Sequence, residues 1–263
     1  MADPEPIQVE QIESGTETSA GRGLGYDVAL SPRDEREISR LFWLIEDTPD
    51  VGERVGAVSA EWLGRPYLDN PLDLRGTKES VRVNLRGFDC VTLIESAFAM
   101  ALSEDVSTFI KALRLIRYHE GTVNWSSRNH YMTDWMTNNI ALGIVRDLTT
   151  GQGSIEQIAV LNVVDGLPPK LTAFRYFPQE NLPSLKRRMQ TGDLVCFAST
   201  RPGLDVYHTG ILIASDDGIV LRHASRSAGM VIDQDLDRFV AESSMLGVVL
   251  VRPTAPKRGR FAT

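Results

Sequence analysis

The sequence predicts an α+β fold built on a mostly antiparallel sheet. Three observations carry this. Residues 31–141 hold runs of helical period, the chain turns to β-prone runs after a glycine-containing break at 151–153, and no repeat or low-complexity linker divides the two parts. At 263 residues the chain can bury a full core. A single domain over 29–255 is expected, between a flexible leader (1–28) and a short basic tail (256–263).

The elements follow in order. "SPRDEREISRLFWLIED" opens with Ser31 as N-cap, Pro32 at the first helical position and Asp34 three residues after the cap, a helix start. "VGERVGAVSAEWLG" reads as a second short helix ended near Gly64 and Pro66. "YLDNPLDLRG" is loop chemistry, and "KESVRVNLRG" is a strand or an extended lead. From Cys90 the residues Leu93, Ile94, Ala97, Phe98, Ala101 and Leu102 fall on one helical face, and "DVSTFIKALRLIRYHEG" repeats the pattern. "SSRNHYMTDWMTNN" is expected to be a loop running into a short helix. "IEQIAVLNVV", "GDLVCFAS", "YHTGILIAS" and "GIVLRHAS" read as strands.

Composition narrows the function classes. A net charge of −7 argues against a nucleic-acid binder, which needs a basic face. No stretch approaches the roughly 20 apolar residues of a membrane span, and the acidic start carries no hydrophobic core of a signal peptide. Two cysteines are too few for a disulfide scaffold.

Those two cysteines differ in setting. Cys90 follows Asp89 at the head of a helix, where unpaired N–H groups and the dipole favour an anion, as a thiolate nucleophile needs. The competing reading is a small buried hydrophobe, because Cys90 also lies on the apolar stripe. Cys196 sits mid-strand among apolar residues and reads as core.

The histidine partners come from one predicted hairpin. His208 begins its first strand and His223 ends its second, around Ser215-Asp216-Asp217-Gly218. Any loop with an even residue count puts them on one face. A four-residue loop over 214–217 would set them directly opposite, about 5 Å apart at Cβ; a tight Asp217-Gly218 turn would offset them by four residues. One imidazole then acts as base and the other orients it. His119 reads as surface.

"GFDCVTLIESAFAMAL", "RNHYMTDW", "GLDVYHTGI" and "HAS", in that order, resemble the NlpC-type branch of papain-like cell-wall cysteine peptidases, and more closely its N-acetylmuramoyl-L-alanine amidase-like members. The resemblance spans 82–225. It implies a papain-like core, with the sheet packed against the helix that starts at the cysteine and extra helices N-terminal to it. It also implies cleavage of amide bonds in peptidoglycan stem peptides through a thioacyl-enzyme, with Cys90 as nucleophile, His208 as base and His223 as orienting residue. Asp89 then helps bind the amine of an L-alanyl stem, and no metal or other cofactor is needed. The family commonly has Ser and Gly after the cysteine; this chain has Val91 and Thr92. His130, Tyr131 and Trp135 are expected to line the substrate groove.

Two other readings stand beside this one: a zinc hydrolase using His208, His223 and either Asp205 or Cys90, and a non-catalytic murein-binding module. The expected partner is peptidoglycan or a muropeptide, with no nucleic acid and no membrane span, and a monomer is expected. The expected location is the periplasm or cell envelope if a native signal peptide was removed. An effector secreted into rival cells, or cytosolic recycling, are the alternatives.

Overall fold

The computed structural model describes residues 25–73 and 77–255, so the tail expected at 256–263 and most of the leader lie outside the described residues. In chain order the elements are β1 (Val28–Ala29), α1 (Pro32–Ile45), α2 (Val51–Ala60), β2 (Val81–Arg82), α3 (Cys90–Ala101), α4 (Val106–Arg117), α5 (Met132–Ala141), β3 (Val145–Asp147), β4 (Ile155–Leu161), β5 (Lys170–Pro178), α6 (Leu182–Lys186), β6 (Leu194–Ala198), β7 (Val206–Ser215), β8 (Gly218–Ser225), β9 (Met230–Asp235), α7 (Leu236–Glu242) and β10 (Gly247–Pro253). The α+β expectation holds: among the described residues the five longest helices precede every strand of the main sheet, which the short α6 and α7 interrupt.

Helix starts are fixed by local chemistry. The Ser31 side chain accepts the Asp34 N–H at 3.1 Å, and Asp50 accepts that of Glu53. Two Asp-x-x-Thr capping boxes follow, Asp89 with Thr92 on α3 and Asp105 with Thr108 on α4. Each leaves the apolar stripe of its helix facing the same core.

The main sheet runs β4-β5-β10-β6-β7-β8-β9, with β3 also pairing β10, and its neighbours are antiparallel throughout. Its two faces carry two cores. Leu93, Ile94, Ala97 and Phe98 of α3 pack with Cys196, Ile211, Ala224 and Val249 on one face. On the other, Val195, Phe197, Leu212 and Leu221 meet Leu185 of α6 and Leu236 and Val240 of α7. Cys196 is buried in the first core, as its strand setting predicts. Among the described residues no helix is long and apolar enough to cross a membrane.

Candidate active site

The hairpin that carries both histidines closes through a two-residue loop. Ser215 pairs with Gly218, so Asp216 and Asp217 form the turn and Gly218 takes a φ of +133°. Neither turn expected from the sequence is the observed one, but the even count survives. His208 and His223 share a face, displaced by one two-residue step rather than set opposite. The diagonal suits them, because the imidazoles reach further than two Cβ atoms do. His208 Nε2 lies 2.7 Å from His223 Nδ1, with the rings nearly perpendicular at 80°. Gly210 makes room for this: a Cβ there would stand 3.0 Å from His223 Cβ and 2.8 Å from the Arg222 carbonyl oxygen.

Phe239 of α7 packs on both imidazoles, 5.6 Å from His208 and 5.3 Å from His223 between ring centroids, and Phe197 stacks on His208. This apolar collar lowers both imidazole pKa values. Burial, then the neighbouring His223, takes His208 down to about 3, and burial lowers His223. At neutral pH both rings are uncharged. The second nitrogen of His223, Nε2, faces Gln234 Oε1 at 3.3 Å.

Cys90 arrives from the other face of the sheet. It occupies the first position of α3, behind Asp89, whose Oδ1 accepts both the Thr92 N–H and the Thr92 hydroxyl at 2.7 Å. The β7–β8 ladder ends at Ile211 and Arg222, two residues short of Thr209, and the free Thr209 N–H turns to the Cys90 sulfur. The thiol is thereby tied to the residue that follows His208. No Cys90–His208 hydrogen bond forms among the described residues; the two meet through the His208–Thr209 peptide at the open end of the ladder.

The thiol does not behave as its helix start predicts. Burial, reinforced by the Asp89 carboxylate, pushes its pKa up to about 12, against the opposing pull of the Thr209 N–H. The reason is one of magnitude. A helix terminus is worth roughly 0.3–1 kcal/mol to an adjacent charge, whereas desolvation moves a buried group by up to about 3–5 pH units. The resting pair is therefore thiol and neutral imidazole.

Two residues here escape sequence reasoning. Tyr67 lies close enough to Cys90, Asp89 and Asp69 that, after burial, their negative charges help raise its phenol to about 12. It is held by a bridge to Phe88 and by its N–H to the Gly229 carbonyl. Its only sequence signal is an aromatic in a Pro-containing loop. Gln234 has no signal at all, since its contact depends on the β8–β9 register.

The expected groove residues divide. Trp135 is fully buried, edge-on to Phe98 at 6.0 Å, and Tyr131 is 3% exposed with its hydroxyl accepting the Val164 N–H. Both belong to the core, which corrects the groove expectation: with Met132 and Met136 they form the inward side of α5 and its entry. His130 is half-buried, its ring tilted 55° against Trp125 with centroids 4.5 Å apart and Nε2 against the Trp125 carbonyl oxygen at 2.8 Å. Asp89 is enclosed as a helix cap, and burial raises its pKa. Among the described residues no three His, Cys, Asp or Glu side chains gather as a metal site requires. Asp205, a ligand in the zinc reading, instead accepts the N–H groups of Thr133 and Val206 at 2.7 Å and so caps α5 from outside.

Solved structures share this α+β fold. An N-acetylmuramoyl-L-alanine amidase from Bacteroides uniformis superposes with a TM-score of 0.72 at 24% identity, over 78% of this chain and 99% of that one. A Legionella pneumophila protein of the DUF1460 family gives 0.73 at 18%, over 86% and 96%. A Bacteroides fragilis protein provisionally named a xylanase gives 0.68 at 26%, over 74% and 98%. The chain itself belongs to the AmiA-like, N-acetylmuramoyl-L-alanine amidase-like family, whose sequence model matches residues 57–248. No protein with a curated description matches it by sequence.

Proposed function

We propose that the protein is a cysteine amidase of peptidoglycan, on a papain-like core of the NlpC type, cutting the bond between the muramoyl lactyl group and L-alanine. The observation that carries this reading is the thiol at the start of α3, tied to the peptide that follows an imidazole already paired to a second imidazole. Cys90 Sγ attacks the substrate carbonyl as His208 Nδ1, the nitrogen not bonded to His223, takes the thiol proton. His208 then delivers that proton to the leaving amine nitrogen. Water, deprotonated by His208, hydrolyses the thioester and restores the thiol. The Cys90 N–H at the start of α3, which the Asp89 cap leaves aside, and the Tyr67 phenol beside the thiol are the donors this reading assigns to the developing oxyanion.

The state of Asp89 favours this bond over those further along the stem. An endopeptidase that recognises a free L-alanyl amine needs a charged carboxylate aimed at it, whereas Asp89 caps α3 through Oδ1 and burial raises its pKa, disfavouring the charge. In the muramoyl-linked substrate the alanine nitrogen is acylated and carries no charge to bind. Murein lies outside the cytoplasmic membrane, so the cell envelope is the proposed place of action.

The test is incubation of the protein and its Cys90→Ala variant with defined muropeptides, followed by mass spectrometry. Release of the intact stem peptide from muramic acid by the wild type alone is expected. Equal product from Cys90→Ala would end the mechanism, and a cut after L-alanine would reassign the bond.

A further inference from the structure

We infer that Gln234 is a positioning residue that fixes the tautomers of the imidazole pair and so leaves Nδ1 as the basic nitrogen of His208. The orientation of its amide is set from outside. Gln234 Nε2 donates to Glu242 Oε2 at 3.5 Å, and Glu242 is itself held by Arg238 Nε at 2.8 Å. A carboxylate accepts only, so the amide turns its NH₂ to Glu242 and its carbonyl oxygen to the histidine. Gln234 Oε1 then accepts from His223 Nε2. With its proton on Nε2, neutral His223 presents the Nδ1 lone pair, and His208 must donate Nε2–H to it. The His208 proton is thereby confined to Nε2, and Nδ1 is left as the basic atom. Each step follows from the one before, beginning at an ion pair on the exposed side of α7.

This inference rests on His208 as the base, yet it can fail separately. The ¹⁵N spectrum of the imidazoles in the resting protein reads the tautomers without any turnover. His223 and His208 are both expected as Nε2–H forms in the wild type. In Gln234→Leu, which keeps the bulk and loses the acceptor, a mixture of tautomers is expected. Turnover should fall about tenfold in kcat with KM unchanged, far less than the roughly 10⁴-fold loss when the residue directly orienting a base is disabled. Gln234→Glu, which keeps an acceptor, should restore the Nε2–H form of His223. An Nδ1–H form of His223 in the wild type, or unaltered tautomers in Gln234→Leu, would overturn the inference even if the amidase reading stands. A wild type that turns over no muropeptide yet shows the expected tautomers would sink that reading and leave the inference intact.

Discussion

His208 and His223 stand diagonally just beyond the end of the β7–β8 ladder with 2.7 Å between Nε2 and Nδ1, and that offset makes their contact a single directed hydrogen bond. Phe239 and Phe197 close the surrounding space, so neither ring can turn away without opening the second core. His223→Ala should leave His208 free to rotate and to protonate on the wrong nitrogen. A fall in kcat of about 10²–10⁴-fold is expected with KM little changed, measured on a defined muropeptide. A variant within twofold of the wild type would remove His223 from the mechanism.

The resting state of Cys90 bears on how the attack begins. A thiol with a pKa of about 12 carries almost no thiolate at neutral pH, so the sulfur gives up its proton only as it attacks. Labelling by iodoacetamide should be slower than for a free cysteine at pH 7 and should climb about tenfold per pH unit up to pH 10. Cys90→Ala should abolish it, since Cys196 is buried. A fast reaction already level at pH 7 would instead mean a preformed thiolate and imidazolium.

What the sequence discloses here is local. The starts of α1 and α3 are legible because a cap and its partner lie three residues apart. The shared face of the histidines is legible because parity survives any even loop, although Asp-Asp-Gly admits several turns. The desolvation of Cys90 is not legible, because it is made by strands more than a hundred residues away. Trp135 misleads for a related reason: its polar neighbours suggest a groove, whereas Phe98 on another helix buries it.

Beneath the nucleophile, Glu95 of α3 and Arg117 of α4 form a buried ion pair, with Arg117 Nε 2.6 Å from Glu95 Oε2 and Arg117 Nη1 2.7 Å from the Arg82 carbonyl oxygen. Removing one partner strands the other charge. Glu95→Gln should destabilise the fold by about 3–5 kcal/mol in chemical denaturation. Glu95→Leu combined with Arg117→Met should recover most of that loss. If the single variant were as stable as the wild type, Arg117 would have to find another carboxylate.

Acid should weaken the fold through His208. In the unfolded chain an imidazole takes its proton near pH 6.5, whereas folded His208 resists until about pH 3. Between those values the unfolded state binds the extra proton, so stability is full above the window and declines as pH falls through it. The slope from this group is about 1.4 kcal/mol per pH unit. His208→Leu removes the titrating group and keeps the contact with Phe197 and Phe239, so its stability should fall less steeply between pH 6 and 4. Denaturant titrations of both proteins across that range make the comparison. Parallel curves would mean that His208 protonates in the folded protein as freely as in the unfolded one, and the apolar collar would then not be what keeps the base neutral.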